Sequence, residues 1–209
     1  MQWRVPPYDN GTYIVVDDRR DALVIDPAMG ERVVIDAVKE HGLHLVEILN
    51  THGHPDHIYG NAGVKEATNA RLAIHRLDAY RLGPERPTTT LQIPPCDADD
   101  LFDEGVLGYV TDLRIAALHT PGHTEGSTCF HLEHERVLFS GDVLFQGSTG
   151  RWDLPGGDRE QMERSLEHVI TLSPETKVYP GHGAATTIGD ELPMLRYLRE
   201  AGVLPGLRV

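Results

Sequence analysis

Four times in this sequence a short apolar run stops at a histidine or an aspartate set beside glycine. "LVEIL" runs into "NTHGHPDH", "LRIAAL" into "HTPGHT", "VLFS" into "GD" and "TKVY" into "PGHG". Runs of this length, rich in β-branched residues and bounded by turn formers, read as strands. In layered α/β proteins active sites gather at strand ends, so these four endings predict one edge that carries the chemistry. Glycine beside each polar residue lets the backbone turn sharply and approach that edge closely.

The rest of the chain fits the same plan. "TYIVV" (Thr12 to Val16) and "ALVID" (Ala22 to Asp26) read as two strands of a hairpin joined by the charged turn "DDRRD". In "GERVVIDAVKEHG", Val33, Val34, Ala37 and Val38 fall on one helical face and Gly42 is the stop. A helix is expected over "HIYGNAGVKEATNA", a strand at "RLAIH" and a loop from Gly83 to Asp100. The strands "LRIAALHT", "STCFHLE" and "VLFSGD" follow, then the glycine-rich "GSTGRWDLPGGD". A helix over "REQMERSLEHVITL", a strand at "KVYPGH" and a helix over "GDELPMLRYLREA" complete an interleaved α/β order, read as one domain across residues 1–209.

Imidazole and carboxylate are the side chains that hold Zn, Fe or Mn. In "THGHPDH", His52 and His54 project to one side of an extended backbone. Asp56 and His57, where the chain bends into a helix, face a neighbouring point. One segment can therefore serve two adjacent ions. His123, Asp142 and His182, each near the end of a predicted strand, supply further ligands, and the two oxygens of Asp142 suit it to bridge. A structural zinc favours four closed ligands, often cysteine, whereas seven ligands over two ions leave room for water. His41, His44, His75, His131, His134 and His168 are read as solvated surface residues.

Charge and composition narrow the partners. A net charge of -13 disfavours a polynucleotide ligand, and no basic patch offsets it. The N-terminus "MQWRVPPYDN" lacks the apolar core of a signal peptide and no segment has the length of a membrane span, so a cytoplasmic protein without membrane contact is expected. Two cysteines, Cys96 and Cys129, provide no disulfide framework: Cys129 reads as a buried strand residue and Cys96 as a loop residue.

The order HxHxDH, "HTPGHT", "SGDVLF", "YPGHG" resembles the metallo-β-lactamase superfamily over nearly the whole chain, and "HTPGHTEGS", "GDVLF" and "GSTGRWDLPGGD" are similar to its glyoxalase II branch, closest to the short bacterial members. The resemblance implies a four-layer αββα sandwich. It implies that His52, His54 and His123 bind one ion, that Asp56, His57 and His182 bind a second, and that Asp142 bridges them. Asp26 in "VIDP" would be a carboxylate behind these ligands; from position alone it is equally a strand-end turn residue before Pro27. The implied cofactor is two divalent ions, zinc first, with iron or manganese as alternatives. The implied reaction is hydrolysis of a thioester such as S-lactoylglutathione by a metal-bridging hydroxide that Asp56 helps orient. The partner would be a small thioester, and the chain a monomer or a homodimer.

Two departures bear on substrate. Where glyoxalase II has a lysine and, two positions on, a tyrosine, this chain has Arg151 and Asp153, and fewer than thirty residues follow "PGHG". Arg151 keeps the charge and can grip a substrate carboxylate in fork geometry, or can instead pair with Asp153 or Asp158. The rival within the same fold is a mononuclear-iron persulfide dioxygenase, which is similar around "HTPGHT" and "GRWD"; a lactonase is a third enzyme reading. A metal-binding module without turnover would require a broken ligand set, and all seven positions are filled.

Overall fold

A computed structural model describes residues 1–83, 91–107 and 113–209. Its first sheet has the strand order β1 (Gln2–Val5), β2 (Asn10–Val16), β3 (Asp21–Ile25), β4 (His44–Asn50), β5 (Arg71–His75), β6 (Asp100–Phe102). The β2–β3 pair is the antiparallel hairpin that the sequence predicts, while β3, β4, β5 and β6 run parallel. The helices α1 (Glu31–Glu40), α2 (Pro55–Ile58) and α3 (Asn61–Thr68) connect β3 to β4 and β4 to β5, and a 3-10 turn over Arg76–Leu82 follows β5. One continuous helix was expected over residues 57–70; instead Pro55 starts it early and the chain breaks at Gly60.

The second sheet joins β7 (Gly105–Leu107), β8 (Ile115–His119), β9 (Thr128–Leu132) and β10 (Val137–Gly141) to the later strands β13 (Lys177–Pro180) and β14 (Thr186–Thr187). The glycine-rich stretch after β10 folds into a small hairpin, β11 (Leu144–Phe145) with β12 (Ser148–Thr149). Helices α4 (Arg159–Val169) and α5 (Ile188–Glu200) pack on this sheet. Of the loop expected from Gly83 to Asp100, residues 84–90 lie outside the described residues.

Period-2 alternation sorts each strand's side chains between two cores. On β3, Ala22 and Val24 face α1 and α3, where Val34, Val38 and Val64 meet them, while Leu23 and Ile25 face the other sheet. On β9 and β10, Phe130 and Phe139 fill the space between the sheets, and Cys129 and Leu138 pack against Met162, Leu166 and Leu195 of α4 and α5. Three apolar layers thus separate four layers of secondary structure in the order αββα. Among the described residues no helix is long and apolar enough to cross a membrane.

The α4 start illustrates how local chemistry sets the boundaries. Asp158 caps it by accepting the Gln161 N–H at 2.8 Å. Asp158→Ala is expected to cost about 1 kcal/mol, read as a lowered thermal midpoint with metal content unchanged.

His75 departs from its expected place on the surface. It is only 3% exposed, its ring stacks on His119 at 4.2 Å and its Nδ1 accepts the Leu77 N–H. As the last residue of β5 it points inward toward Phe102, and burial, with help from the His119 charge, lowers its pKa to about 4. His41, His44, His134 and His168 are exposed, as read, and His131 is half-buried.

Candidate metal centre

Strand direction brings the predicted residues to one edge. β8 and β10 are both antiparallel to β9, and β13 is parallel to β10, so β8, β10 and β13 end on the same side of their sheet. His123, Asp142 and His182 follow those three ends. Across the sandwich, β4 ends at Asn50 and delivers His52 and His54, with Asp56 and His57 in the first turn of α2. The Thr128 N–H donates to the Thr51 carbonyl at 2.8 Å and joins the two sheets at this edge. A Cβ at Gly181 would collide with Asp142 Oδ1 and the His57 ring, so only glycine lets β13 close on the site.

The seven side chains converge in two groups. His54 Nδ1 lies 3.1 Å from His52 Nε2 and 2.8 Å from His123 Nε2. His57 Nε2 lies 3.2 Å from His182 Nε2, and Asp56 Oδ2 is 3.6 and 3.3 Å from those two nitrogens. Asp142 stands between the groups. Its Oδ1 is 3.4 Å from His57 Nε2, and its Oδ2 is 3.4 Å from both His123 Nε2 and His182 Nε2.

The outer partners decide where the imidazole protons sit. His123 Nδ1–H donates to the Arg151 carbonyl at 2.7 Å, His182 Nδ1–H to the Tyr8 carbonyl at 2.7 Å, and His57 Nδ1–H to Asp26 Oδ2 at 2.9 Å. The Thr51 hydroxyl donates to Asp26 Oδ2 at 2.6 Å, so its oxygen is left to accept from His52 Nδ1 at 3.1 Å. Four Nε2 lone pairs therefore point inward, and lone pairs this close repel one another unless a proton or a cation lies between them. Ligand nitrogens on a tetrahedral zinc, each about 2.0–2.1 Å from the ion, stand roughly 3.3 Å apart. The 3.1 and 3.2 Å spacings lie near that value, and the 2.8 Å between His54 Nδ1 and His123 Nε2 is shorter. Asp142 Oδ1, buried without a hydrogen-bond partner, fits such an ion, since a buried carboxylate oxygen needs a cationic partner.

The charges follow the same division. Burial, reinforced by the charge on His123, lowers the pKa of His54 to about 3, and burial likewise holds His52 well below its ordinary value. For His182 burial opposes the charged form, but hydrogen bonds to Asp142 and Asp56 outweigh it and raise the pKa to about 9. Burial also opposes charge on His57, yet Asp142 and Asp56 hold it well above the ordinary value. An imidazolium has no lone pair to give, so a metal ion at this group must displace protons. Zinc affinity, measured by chelator competition, is therefore expected to fall between about pH 9 and about pH 6, by about tenfold per unit for each proton displaced. Affinity flat across that range would refute proton competition at His57 and His182.

Asp26 lies behind the cluster, 1% exposed, where it takes the Thr51 N–H, the Thr51 hydroxyl and the His57 imidazole. It could also join His52 and His57 around a cation, but its Oδ2 faces the outer nitrogen of His57. Arg151 does not reach the cluster. Its guanidinium forks onto Asp153 at 2.7 and 2.8 Å, while its backbone carbonyl holds His123. Sequence reasoning missed Asn10, fully buried, whose amide donates to Asp56 Oδ2 at 3.0 Å, and Thr51, which links Asp26 to His52. Asn10 gives no signal in "DNGTYIVV", where it looks like a turn residue.

Comparison with known proteins places the fold. The family model described as the metallo-beta-lactamase superfamily matches residues 7–182. A curated relative, the hydroxyacylglutathione hydrolase GloC of Haemophilus influenzae, is 34% identical over 196 residues, covering 90% of this chain and 92% of its own. Among solved structures, the BLEG-1 B3 metallo-beta-lactamase is 33% identical with a TM-score of 0.80, over 92% of this chain and 96% of that one. TTHA1623, solved in a di-iron-bound form, is 31% identical with a TM-score of 0.77, over 91% and 96%. By sequence and by fold the chain belongs to the metallo-beta-lactamase superfamily, as a metallo-hydrolase.

Proposed function

We propose that the chain hydrolyses small thioesters of the S-lactoylglutathione type with two divalent metal ions. The observation that carries this reading is Asp142, whose two oxygens face the two histidine groups at once. On this reading His52, His54 and His123 hold one ion, Asp56, His57 and His182 the other, and Asp142 both. When bound, such a pair activates a water near neutral pH and polarises a carbonyl. The remaining tasks belong to the chain. Asn10 pins Asp56 Oδ2 toward the second group, so this carboxylate is set to orient the attacking water. Burial pushes the Cys129 thiol up to about 12, which removes it as a nucleophile.

A thiolate leaving group needs little protonation, which suits a cluster whose histidines are all aimed at the ligand positions. The name of the GloC relative supports a glutathione thioester. Arg151 is the proposed contact for a carboxylate of the thiol carrier, and to make it must exchange its pairing with Asp153.

The test is to purify the protein without added metal and count ions per chain by elemental analysis. The same preparation is assayed for S-lactoylglutathione cleavage, for hydrolysis of a chromogenic β-lactam, and for oxygen uptake with glutathione persulfide. Two ions with thioester cleavage is the expected result. β-Lactam turnover without thioester cleavage would move the substrate class, and one iron with oxygen uptake would replace the thioesterase reading by sulfur oxidation.

A further inference from the structure

A buried ion pair lies beneath the first histidine group and supplies no ligand atom to it. Asp78, in the 3-10 turn after β5, is fully buried. Its Oδ2 accepts the Gly53 N–H at 2.7 Å and the Thr124 hydroxyl at 2.7 Å, and its Oδ1 accepts the Gly126 N–H at 2.8 Å. Gly53 is the residue between His52 and His54, and Thr124 directly follows His123. One carboxylate therefore grips both backbone segments that carry the first group, one from each sheet.

Arg81 completes the arrangement from the next turn. Its side chain is 2% exposed and its Nε lies 3.4 Å from Asp78 Oδ1. Its terminal nitrogen donates to Glu125 Oε2 at 2.6 Å and to the Pro155 carbonyl at 2.9 Å, which ties in the segment following Arg151. A Cβ at Gly53 would strike the Arg81 side chain and one at Gly126 would strike Asp78, so glycine at these two positions lets the pair lie directly under the two loops.

A buried ion pair is weak evidence for stability, because desolvation offsets most of its attraction. Here the hydrogen-bond donors come from the two loops whose separation fixes the distance between His54 and His123. Resting on the reading of this cluster as a metal centre, we infer that Asp78, held by Arg81, is a positioning residue that sets the geometry of the His52, His54 and His123 site. It touches neither metal nor substrate.

The test compares wild type with Asp78→Asn, with Thr124→Val, which removes one of the three bonds, and with Leu166→Ala, a destabilising control in the core under α4. Each protein is titrated with cobalt(II), following its visible absorption and the affinity of each ion by chelator competition. Asp78→Asn is expected to weaken the first ion by about 10–100-fold and Thr124→Val by about tenfold, as removal of outer partners of metal ligands does. Both should shift the cobalt absorption bands and leave the second ion's affinity unchanged, while Leu166→Ala keeps the wild-type spectrum. Wild-type affinity and spectrum in Asp78→Asn would overturn the inference, as would an equal change in Leu166→Ala. Should Asp78→Asn fail to fold, Thr124→Val decides by the same criterion. Wild-type protein that binds no cobalt would instead overturn the metal-centre reading on which the inference rests.

Discussion

Asp142→Ala is expected to reduce thioester hydrolysis by more than ~100-fold and to leave fewer than two ions per chain, because losing even an outer partner of a ligand costs about 10–100-fold. Asp142 is 8% exposed and, among the described residues, is the anion that both histidine groups face. Burial would favour its neutral form, but the charge of His57 and hydrogen bonds from His182 and His57 outweigh this and keep its pKa well below the ordinary range. Removing it takes away the shared negative charge and, with it, the reason His57 and His182 hold protons that a metal can replace. Asp142→Asn separates charge from space: it fills the same volume, yet offers one neutral oxygen and an N–H aimed at a ligand nitrogen. Elemental analysis and kcat/KM on both variants check the point. Two ions and wild-type turnover in either one would show that Asp142 is no bridge.

Replacing Asp26 should act through His57 and through stability together. Its carboxylate satisfies three buried donors, the Thr51 N–H, the Thr51 hydroxyl and His57 Nδ1–H. Asp26→Ala leaves all three unpaired, at about 1–3 kcal/mol for each buried donor, so a thermal midpoint many degrees lower is expected. Asp26→Asn is the sharper probe. The backbone here has φ +47°, a conformation that asparagine tolerates, so the substitution adds no strain. If its amide faces His57 Nδ1, the proton moves to Nε2, where the lone pair is needed. Second-ion affinity should then fall about 10–100-fold while the fold persists. An Asp26→Asn protein that loads both ions as wild type does would reduce Asp26 to a turn residue.

Much of the candidate site was legible because its chemistry is local. HxHxDH compresses four donors into six residues, and the positions of His123, Asp142 and His182 at strand ends predict a shared edge without any knowledge of pairing. The α/β class was legible from the interleaving of apolar runs with amphipathic segments, whereas the four layers were implied only by the resemblance and show in Leu23 and Val24, which face opposite cores from one strand. The short strands β1, β6, β7 and β14 were not legible, because two to four residues show no period and exist through pairing with a neighbour. Nor was the role of "RLDAYRL", where nothing in the sequence marks Asp78 and Arg81 as buried until Gly53 and Gly126 bring loops onto them.

What the sequence alone determined is therefore the inventory, that is, which residues have donor atoms and which runs must become strands. The tertiary structure decided how those donors are presented. His123 and His182 take their orientation from the carbonyls of Arg151 and Tyr8, and a backbone carbonyl has no residue identity to read. The burial of His75 and the grip of Asp78 depend on segments distant in sequence meeting in space, and only the packing of the two sheets brings them within hydrogen-bond range.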